Sequence, residues 1–485
     1  MHSIVIFGAS GDLTSRKLIP ALYHLHRKNR LPEPINIVGF SRTAMLSEEW
    51  RNHLFETTQK FAGKTFSQTS WDTFAPLVHY HTGDIENVQS FHSLARFLNE
   101  REGQTAANRL YYLSTAPQFY GLAAQQLDAA GLTTETEGCS RRVVIEKPFG
   151  TNLETAQQLN GIIHRSLDET QIYRIDHYLG KETVNNILIL RFANTIFEPI
   201  WNRNFIDNIQ ITANEEVLVG RRAKYYESAG ILRDMFQNHL LQVLTFTAME
   251  SPARFNAKAV RDEKVKVLQS IRAMTEDEVP ANSVRGQYRS YRDEEGVNPN
   301  SQTATYGALR LFVDNWRWKG VPFFLRSGKA MSCRTTHIVI NFRQPPHSMF
   351  STNTTSMLPL TGNRLILQLQ PAEGIKIHFA TKIPDTEMGM RSSELNFNFL
   401  DKFSGEMPDS YERQLLDALN GDASLFVRND EVEAAWRIID PVQQVWDSDR
   451  MLDPDFYERG STGPAHADRW MESLGFHWDD FCPIK

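Results

Sequence analysis

Cysteine is almost absent. A chain of 485 residues has three, Cys139, Cys333 and Cys482, and none belongs to a C-x-x-C pair. The spacing therefore signals neither a zinc site nor a disulfide, and it leads to the expectation of a reducing, cytoplasmic setting. Long apolar runs are missing too: no stretch reaches the roughly 18 residues of a membrane helix, and the N-terminus lacks the charged-then-apolar order of a signal peptide. A basic excess is also lacking. The formal net charge of −6 speaks against a nucleic-acid footprint, while leaving room for a local basic pocket that takes a small anion. No internal repeat or low-complexity tract is found. Apolar content of 41% and charged content of 23% are ordinary for a globular protein, and the length suits two or three domains.

The first 150 residues alternate between strand and helix patterns. "SIVIFGAS" opens with a buried-strand run, Ile4 to Phe7, and a turn at Gly8 to Gly11 leads into a segment with Leu13, Leu18, Leu22 and Leu25 near helical spacing. "INIVGF", "RLYYLST" and "RRVVI" are further strands, with helix-prone stretches between them. Such alternation implies a parallel, doubly wound sheet, whose site lies at the carboxyl ends of the strands. The first turn lacks the G-x-G-x-x-G pattern and reads G-x-x-G-x-x-T instead. Gly8 and Gly11 still allow the backbone to approach a pyrophosphate at the start of a helix. An acidic residue after the second strand, the usual partner of the NAD ribose, is missing as well; Ser41 and Arg42 stand there, which favours the 2′-phosphate of NADP. A plain strand-to-helix turn and a solvated surface arginine are the bland alternatives.

Three further segments carry chemistry. In "EKPFG", Pro148 holds Lys147 extended at the end of an apolar strand. "RIDHYLGKE" crowds Asp176, His177, Tyr178 and Lys181 together. A helical turn beginning near His177 would set His177, Tyr178 and Lys181 on one side, suited to a phosphate dianion, with Asp176 either capping the helix or orienting a base from elsewhere. "GILRDMFQNHLLQVLTF" reads as an amphipathic helix with His239 on the shoulder of its apolar stripe, either a candidate base or a satisfied boundary histidine. Asp234 and Gln237 there also fit a capping box.

Together with "RFAN…WNR", "GVPFFLRSGKA" and "LQLQP", these segments occur in the order found in the glucose-6-phosphate dehydrogenase family, and the chain resembles that family almost from end to end. The resemblance implies oxidation of glucose 6-phosphate at C1 with hydride transfer to NADP, NAD being a possible secondary coenzyme, and no metal. It implies that His239 is the general base and Asp176 the carboxylate that orients it. It also implies that His177, Tyr178 and Lys181 bind the phosphate, and that Lys147 lies close to both sugar and nicotinamide. Glu215 and Asp234 would hold sugar hydroxyls, with Lys329, Arg334 and Gln370 as further substrate contacts. On the cofactor side it implies Gly8, Ala9, Ser10, Gly11, Asp12, Leu13, Thr14, Ser15, Arg42 and Tyr120. The second, structural NADP site of the animal enzymes is expected to be missing, since Thr335 and Leu369 stand at two of its basic positions. The expected fold is an α/β Rossmann-type NADP-binding domain over 1–175, followed by an α+β domain over 176–485. The latter has a large, mainly antiparallel sheet that in the family serves dimerisation, so a homodimer or homotetramer is expected. Other NADP-dependent sugar oxidoreductases and a non-catalytic NADP sensor are the competing readings. "DEEGVNPNSQTA" and "HSMFSTNTTSM" read as loops.

Overall fold

A computed structural model describes residues 1–103, 106–347, 362–371, 373–386, 389–402, 408–448 and 453–482. The expected loop "HSMFSTNTTSM" lies, from residue 348 on, outside the described residues. The chain forms two compact units, each discontinuous in sequence. One comprises Met1–Lys181, Pro252–Asp262 and Met407–Glu433; the other comprises Glu182–Ser251, Glu263–Glu406 and Ala434–Lys485.

The N-terminal unit is built on six parallel strands: β1 (His2–Phe7), β2 (Ile35–Ser41), β3 (Val78–Thr82), β4 (Asn108–Leu113), β5 (Arg141–Ile145) and β6 (Ile172–Arg174). Their order is β3-β2-β1-β4-β5-β6, with every ladder parallel. This is the doubly wound order in which the strand sequence reverses beside β1, and ligands bind at that reversal. The unbroken apolar run of β1 follows from helices covering both faces, and Ile4 to Phe7 are fully buried. The helix Ser410–Asn420, from far along the chain, adds Tyr411, Leu415, Leu416 and Leu419 to the same core as Ile4, Ile6, Tyr112 and Val144. That shared core is why a late segment belongs to the first unit.

Among the described residues, the second unit carries nine strands: β7 (Ile206–Asn214), β8 (Ser283–Tyr288), β9 (Tyr306–Phe312), β10 (Pro322–Gly328), β11 (Thr335–Phe342), β12 (Arg364–Gln370), β13 (Gly374–Lys382), β14 (Met390–Asn398) and β15 (Asp455–Tyr457). They run in the order β14-β13-β12-β11-β7-β10-β9-β8-β15. Among these strands the β7–β10 and β8–β15 ladders are parallel and the others antiparallel. The fold is thus an α/β Rossmann-type unit and an α+β unit with a mainly antiparallel sheet.

The cysteine spacing carries no disulfide signature, yet the fold pairs two of the three. Cys333 and Cys482 are joined by a disulfide, with their Cα atoms 5.9 Å apart and a sequence separation of 149. A pairing over that distance leaves no spacing pattern to read, because the sheet brings the two together, not the local chain. Cys139 is free. Among the described residues no helix is long and apolar enough to cross a membrane.

Candidate active site

In the N-terminal unit, the turn after β1 is closed by backbone hydrogen bonds. The Gly8 and Ala9 amides donate to the Phe40 carbonyl at 2.9 and 3.3 Å, and Gly11 closes a turn by donating to the Gly8 carbonyl at 2.9 Å. Gly8 has φ +79°, and a Cβ there would stand 2.1 Å from the Ser114 carbonyl oxygen, so only glycine fits. Ser10 and Asp12 are exposed on this turn, Gly11 and Leu13 partly so, and Ala9 is buried. The Thr14 and Ser15 hydroxyls turn back on the chain, Thr14 donating to the Gly8 carbonyl at 3.2 Å and Ser15 to the Asp12 carbonyl at 3.2 Å. The helix that follows is wound as a π-helix over Thr14–Leu18 before becoming α-helical at Ile19. Such π segments are rare and concentrate at functional sites.

A cleft of about 190 Å³ opens beside this turn, lined by Gly8, Phe40, Ser41, Arg42, Gly83, Asp84, Ile85, Thr115, Ala116 and Phe119. It contains the sequence-predicted Gly8 and Arg42, and Ser41 lies 2.9 Å from Ser10 through their hydroxyls. Tyr120 is buried in the helix Tyr120–Ala129; the neighbouring wall is formed instead by Thr115, Ala116 and Phe119. Gly83 to Ile85 escape sequence reading because β3, "VHYHT", looks like a polar, helix-prone stretch. A glycine cradle that a Cβ would fill, a neighbouring cleft and a cation at the end of β2 fit a nicotinamide dinucleotide.

Lys147 is half-buried at the end of β5, with a cis peptide to Pro148. The preceding Glu146 is buried and accepts the Tyr112 hydroxyl at 2.6 Å; burial holds its carboxyl above the usual range. "RIDHYLGKE" continues from β6 as consecutive tight turns, and helix begins only at Glu182. The expected helical turn from His177 is replaced by Leu179 donating to the Asp176 carbonyl at 3.0 Å and Lys181 to the Tyr178 carbonyl at 3.2 Å. Asp176 is buried, and its carboxylate accepts the Tyr178 amide at 2.9 Å. It caps a turn, not a helix. His177 and Tyr178 have ring centroids 5.3 Å apart, and the Lys181 ammonium sits 3.8 Å from the centre of the Tyr178 ring. The turns therefore do gather imidazole, phenol and ammonium.

In the second unit, the helix carrying His239 is π-wound over Leu232–Leu240. Bonding from i to i+5 stacks residues five apart, so Asp234 and His239 share one side, which a 3.6-residue period does not predict. Both are buried. The capping-box alternative for Asp234 gives way to a different bond: its carboxylate meets the Lys329 ammonium at 2.8 Å. Lys329 also pairs with Glu215. The parallel β7–β10 ladder explains the meeting, because Asn214 pairs with Gly328 and the next residues, Glu215 and Lys329, leave the sheet together. Burial works against the charge of Lys329, but the two carboxylates outweigh it and hold the ammonium above its ordinary value. Two residues the sequence did not single out secure this cluster. Tyr457 donates to the Lys329 carbonyl at 2.7 Å, and the Tyr226 ring centre lies 5.5 Å from the ammonium. Arg334 is exposed beside Cys333, and Gln370 donates to the Thr336 hydroxyl at 2.8 Å.

The Gly8–Gly11 turn, the turns that gather His177, Tyr178 and Lys181, and the helix with buried Asp234 and His239 all lie in segments that match known protein families. Residues 5–186 match the family model described as glucose-6-phosphate dehydrogenase, NAD binding domain, and residues 188–479 the one described as glucose-6-phosphate dehydrogenase, C-terminal domain. The chain belongs to the glucose-6-phosphate dehydrogenase family. It is 44% identical to the glucose-6-phosphate 1-dehydrogenase of Aggregatibacter actinomycetemcomitans over 98% of this chain and 96% of that protein. It is 40% identical to that of Bacillus subtilis (strain 168), over 98% and 97%. Among solved structures, a glucose-6-phosphate dehydrogenase in complex with its substrate glucose 6-phosphate superposes with a TM-score of 0.90 at 32% identity, covering 99% of this chain and 98% of that one. A glucose-6-phosphate 1-dehydrogenase from Mycobacterium avium gives 0.87 at 34% identity, over 100% and 99%.

Proposed function

We propose that the chain oxidises D-glucose 6-phosphate at C1 to 6-phospho-D-glucono-1,5-lactone with hydride transfer to NADP+, the first step of the oxidative pentose phosphate pathway. The observation that carries this reading is the Asp234–Lys329–Glu215 cluster, its aspartate and lysine buried, in a member of this family, with Asp234 five residues before His239 on one π-helix. His239 takes the proton of the C1 hydroxyl while the C1–H electron pair departs as hydride, leaving a carbonyl at C1. The bound nicotinamide supplies the hydride acceptor. Asp176 orients the imidazole and favours its protonated form as the proton arrives. His177, Tyr178 and Lys181 hold the phosphate, whose binding energy positions C1 for reaction. Glu215 and Asp234 accept from sugar hydroxyls, Lys329, Arg334 and Gln370 donate, and Lys147 serves both sugar and cofactor. The turn from Gly8 to Ser15, with Arg42, holds the dinucleotide. Arg42 in the cleft, where an NAD site usually has an acid, supports NADP as the preferred coenzyme. The chain works as a homodimer or homotetramer.

The test is NADP reduction with glucose 6-phosphate by the native chain and by His239→Asn, repeated with NAD. Native turnover is expected, faster at low coenzyme with NADP, with kcat reduced by about 10²-fold or more in the variant. An inactive native chain would overturn the activity, and near-native kcat in the variant would overturn the base.

A further inference from the structure

The helix Ser410–Asn420 reaches two segments of the N-terminal unit that the proposed mechanism uses. Its apolar side is part of the core under the parallel sheet. Glu412, Gln414 and Asp417 are buried with it. Gln414 is only 1% exposed and donates its side-chain amide to the Asp176 carbonyl at 2.9 Å. The same carbonyl accepts the Leu179 amide, so it is fixed from two directions. The contact is close: a Cβ on Gly180 would stand 2.6 Å from the Ser410 carbonyl oxygen and 3.0 Å from Gln414 Cγ. One turn earlier, Tyr411 flanks the buried Glu146 carboxylate, and burial together with that neighbour pushes its phenol up. Glu146 directly precedes Lys147. At its start the helix is anchored by Asp409, whose carboxylate accepts the Tyr411 amide at 2.9 Å and pairs with Lys17 at 2.8 Å.

From this geometry we infer that Gln414 is a positioning residue, holding the Asp176 main chain so that its carboxylate keeps one direction. The inference rests on the proposed role of Asp176. Asp176 stands in a run of tight turns, not in a helix or strand, so no ladder of backbone bonds fixes its φ and ψ. The hydrogen bond from Gln414 adds a restraint from outside the turn, and it comes from a helix locked into the core. Dyad geometry is sensitive at this level, since a displacement of about 1 Å at a catalytic group costs on the order of 10²-fold in rate. Glutamine also fits the task chemically. A neutral donor satisfies the carbonyl without placing a charge beside the buried carboxylate, whereas a lysine there would compete with the imidazole for it.

The experiment compares the native chain, Gln414→Met and Asp176→Asn, each normalised to folded protein by near-ultraviolet circular dichroism. Methionine keeps the length and packing but removes the donor. Gln414→Met is expected to lower kcat about tenfold, with KM for glucose 6-phosphate within about twofold of native. A misaimed carboxylate raises the imidazole pKa less, so the acid limb of the kcat–pH profile should move to lower pH. A loss of stability alone would scale activity at every pH and leave that limb in place. An unmoved limb in Gln414→Met, when Asp176→Asn moves it, overturns the positioning role. An unmoved limb in Asp176→Asn overturns instead the role proposed for Asp176. Should Gln414→Met not fold, Gln414→Leu under the same comparison gives the same decision.

Discussion

His337 shows burial setting the protonation state of a single side chain. Its ring lies between two polar neighbours, with Nε2 3.3 Å from the Asp479 carbonyl and Nδ1 3.2 Å from the Thr335 hydroxyl. A neutral imidazole satisfies both, donating from Nε2 and accepting at Nδ1. Burial, then the nearby charge of Arg326, lowers its pKa from 6.5 to about 4. In the unfolded chain the same group titrates at its ordinary value, so on acidification the unfolded state takes up the proton first. Stability is therefore full above pH 6.5, falls as the pH drops below it, and levels off near 4. The full loss is on the order of 3 kcal/mol. Urea unfolding of the native chain and of His337→Gln between pH 7.5 and 4 tests this, with a shallower acid decline expected in the variant. His79 is lowered to about 4 as well, chiefly by burial, so the difference between the two proteins isolates His337. Equal declines would refute the assignment. Lys329 works in the opposite sense: its raised pKa stabilises the fold throughout neutral pH, and that contribution fades only as the pH rises past the ordinary lysine value.

At the scale of the element, the turn after β1 has no slack. Alanine at position 8 would need an unfavourable positive φ and would drive its methyl into the Ser114 carbonyl at the end of β4. Gly8→Ala is expected to cost about 1–3 kcal/mol in stability and to weaken NADP binding about tenfold or more by displacing the cradle. Thermal unfolding and fluorescence titration with NADPH measure the two effects, and native values in both would refute the steric argument. The same turn illustrates what the sequence discloses. Its glycines and the apolar run of β1 are local signals, and they were legible. β3 and β6 were not, since "VHYHT" carries two histidines and "IYR" is three residues long. The π-winding of Leu232–Leu240 hid the shared face of Asp234 and His239, because pattern reading assumes 3.6 residues per turn. The Cys333–Cys482 link and the contact from Gln414 to Asp176 join residues far apart in sequence, and only the tertiary fold reveals such pairs.

At the scale of the whole molecule, the nine-stranded sheet is unevenly covered. β10 is buried along its full length and β7 and β11 nearly so, whereas β13 and β14 at one end remain half-buried or exposed. Leu395 and Phe397, alternate residues on one face of β14, are 60% and 36% exposed. Apolar side chains on an uncovered edge strand invite uncontrolled pairing unless a partner takes the place. A second copy applying the same strands through a twofold axis covers both sets at once and closes the assembly, which an unrelated surface would not do. This supports the homodimer proposed above, with a tetramer as a dimer of such dimers. Light scattering of the native chain should then give at least twice the mass of one chain. Leu395→Lys combined with Phe397→Lys should reduce it to the mass of one chain while far-ultraviolet circular dichroism stays native, because lysines on an edge strand oppose pairing without disturbing the buried strands. A native mass of one chain would remove the dimer. An unchanged mass in the double variant would move the interface away from β14.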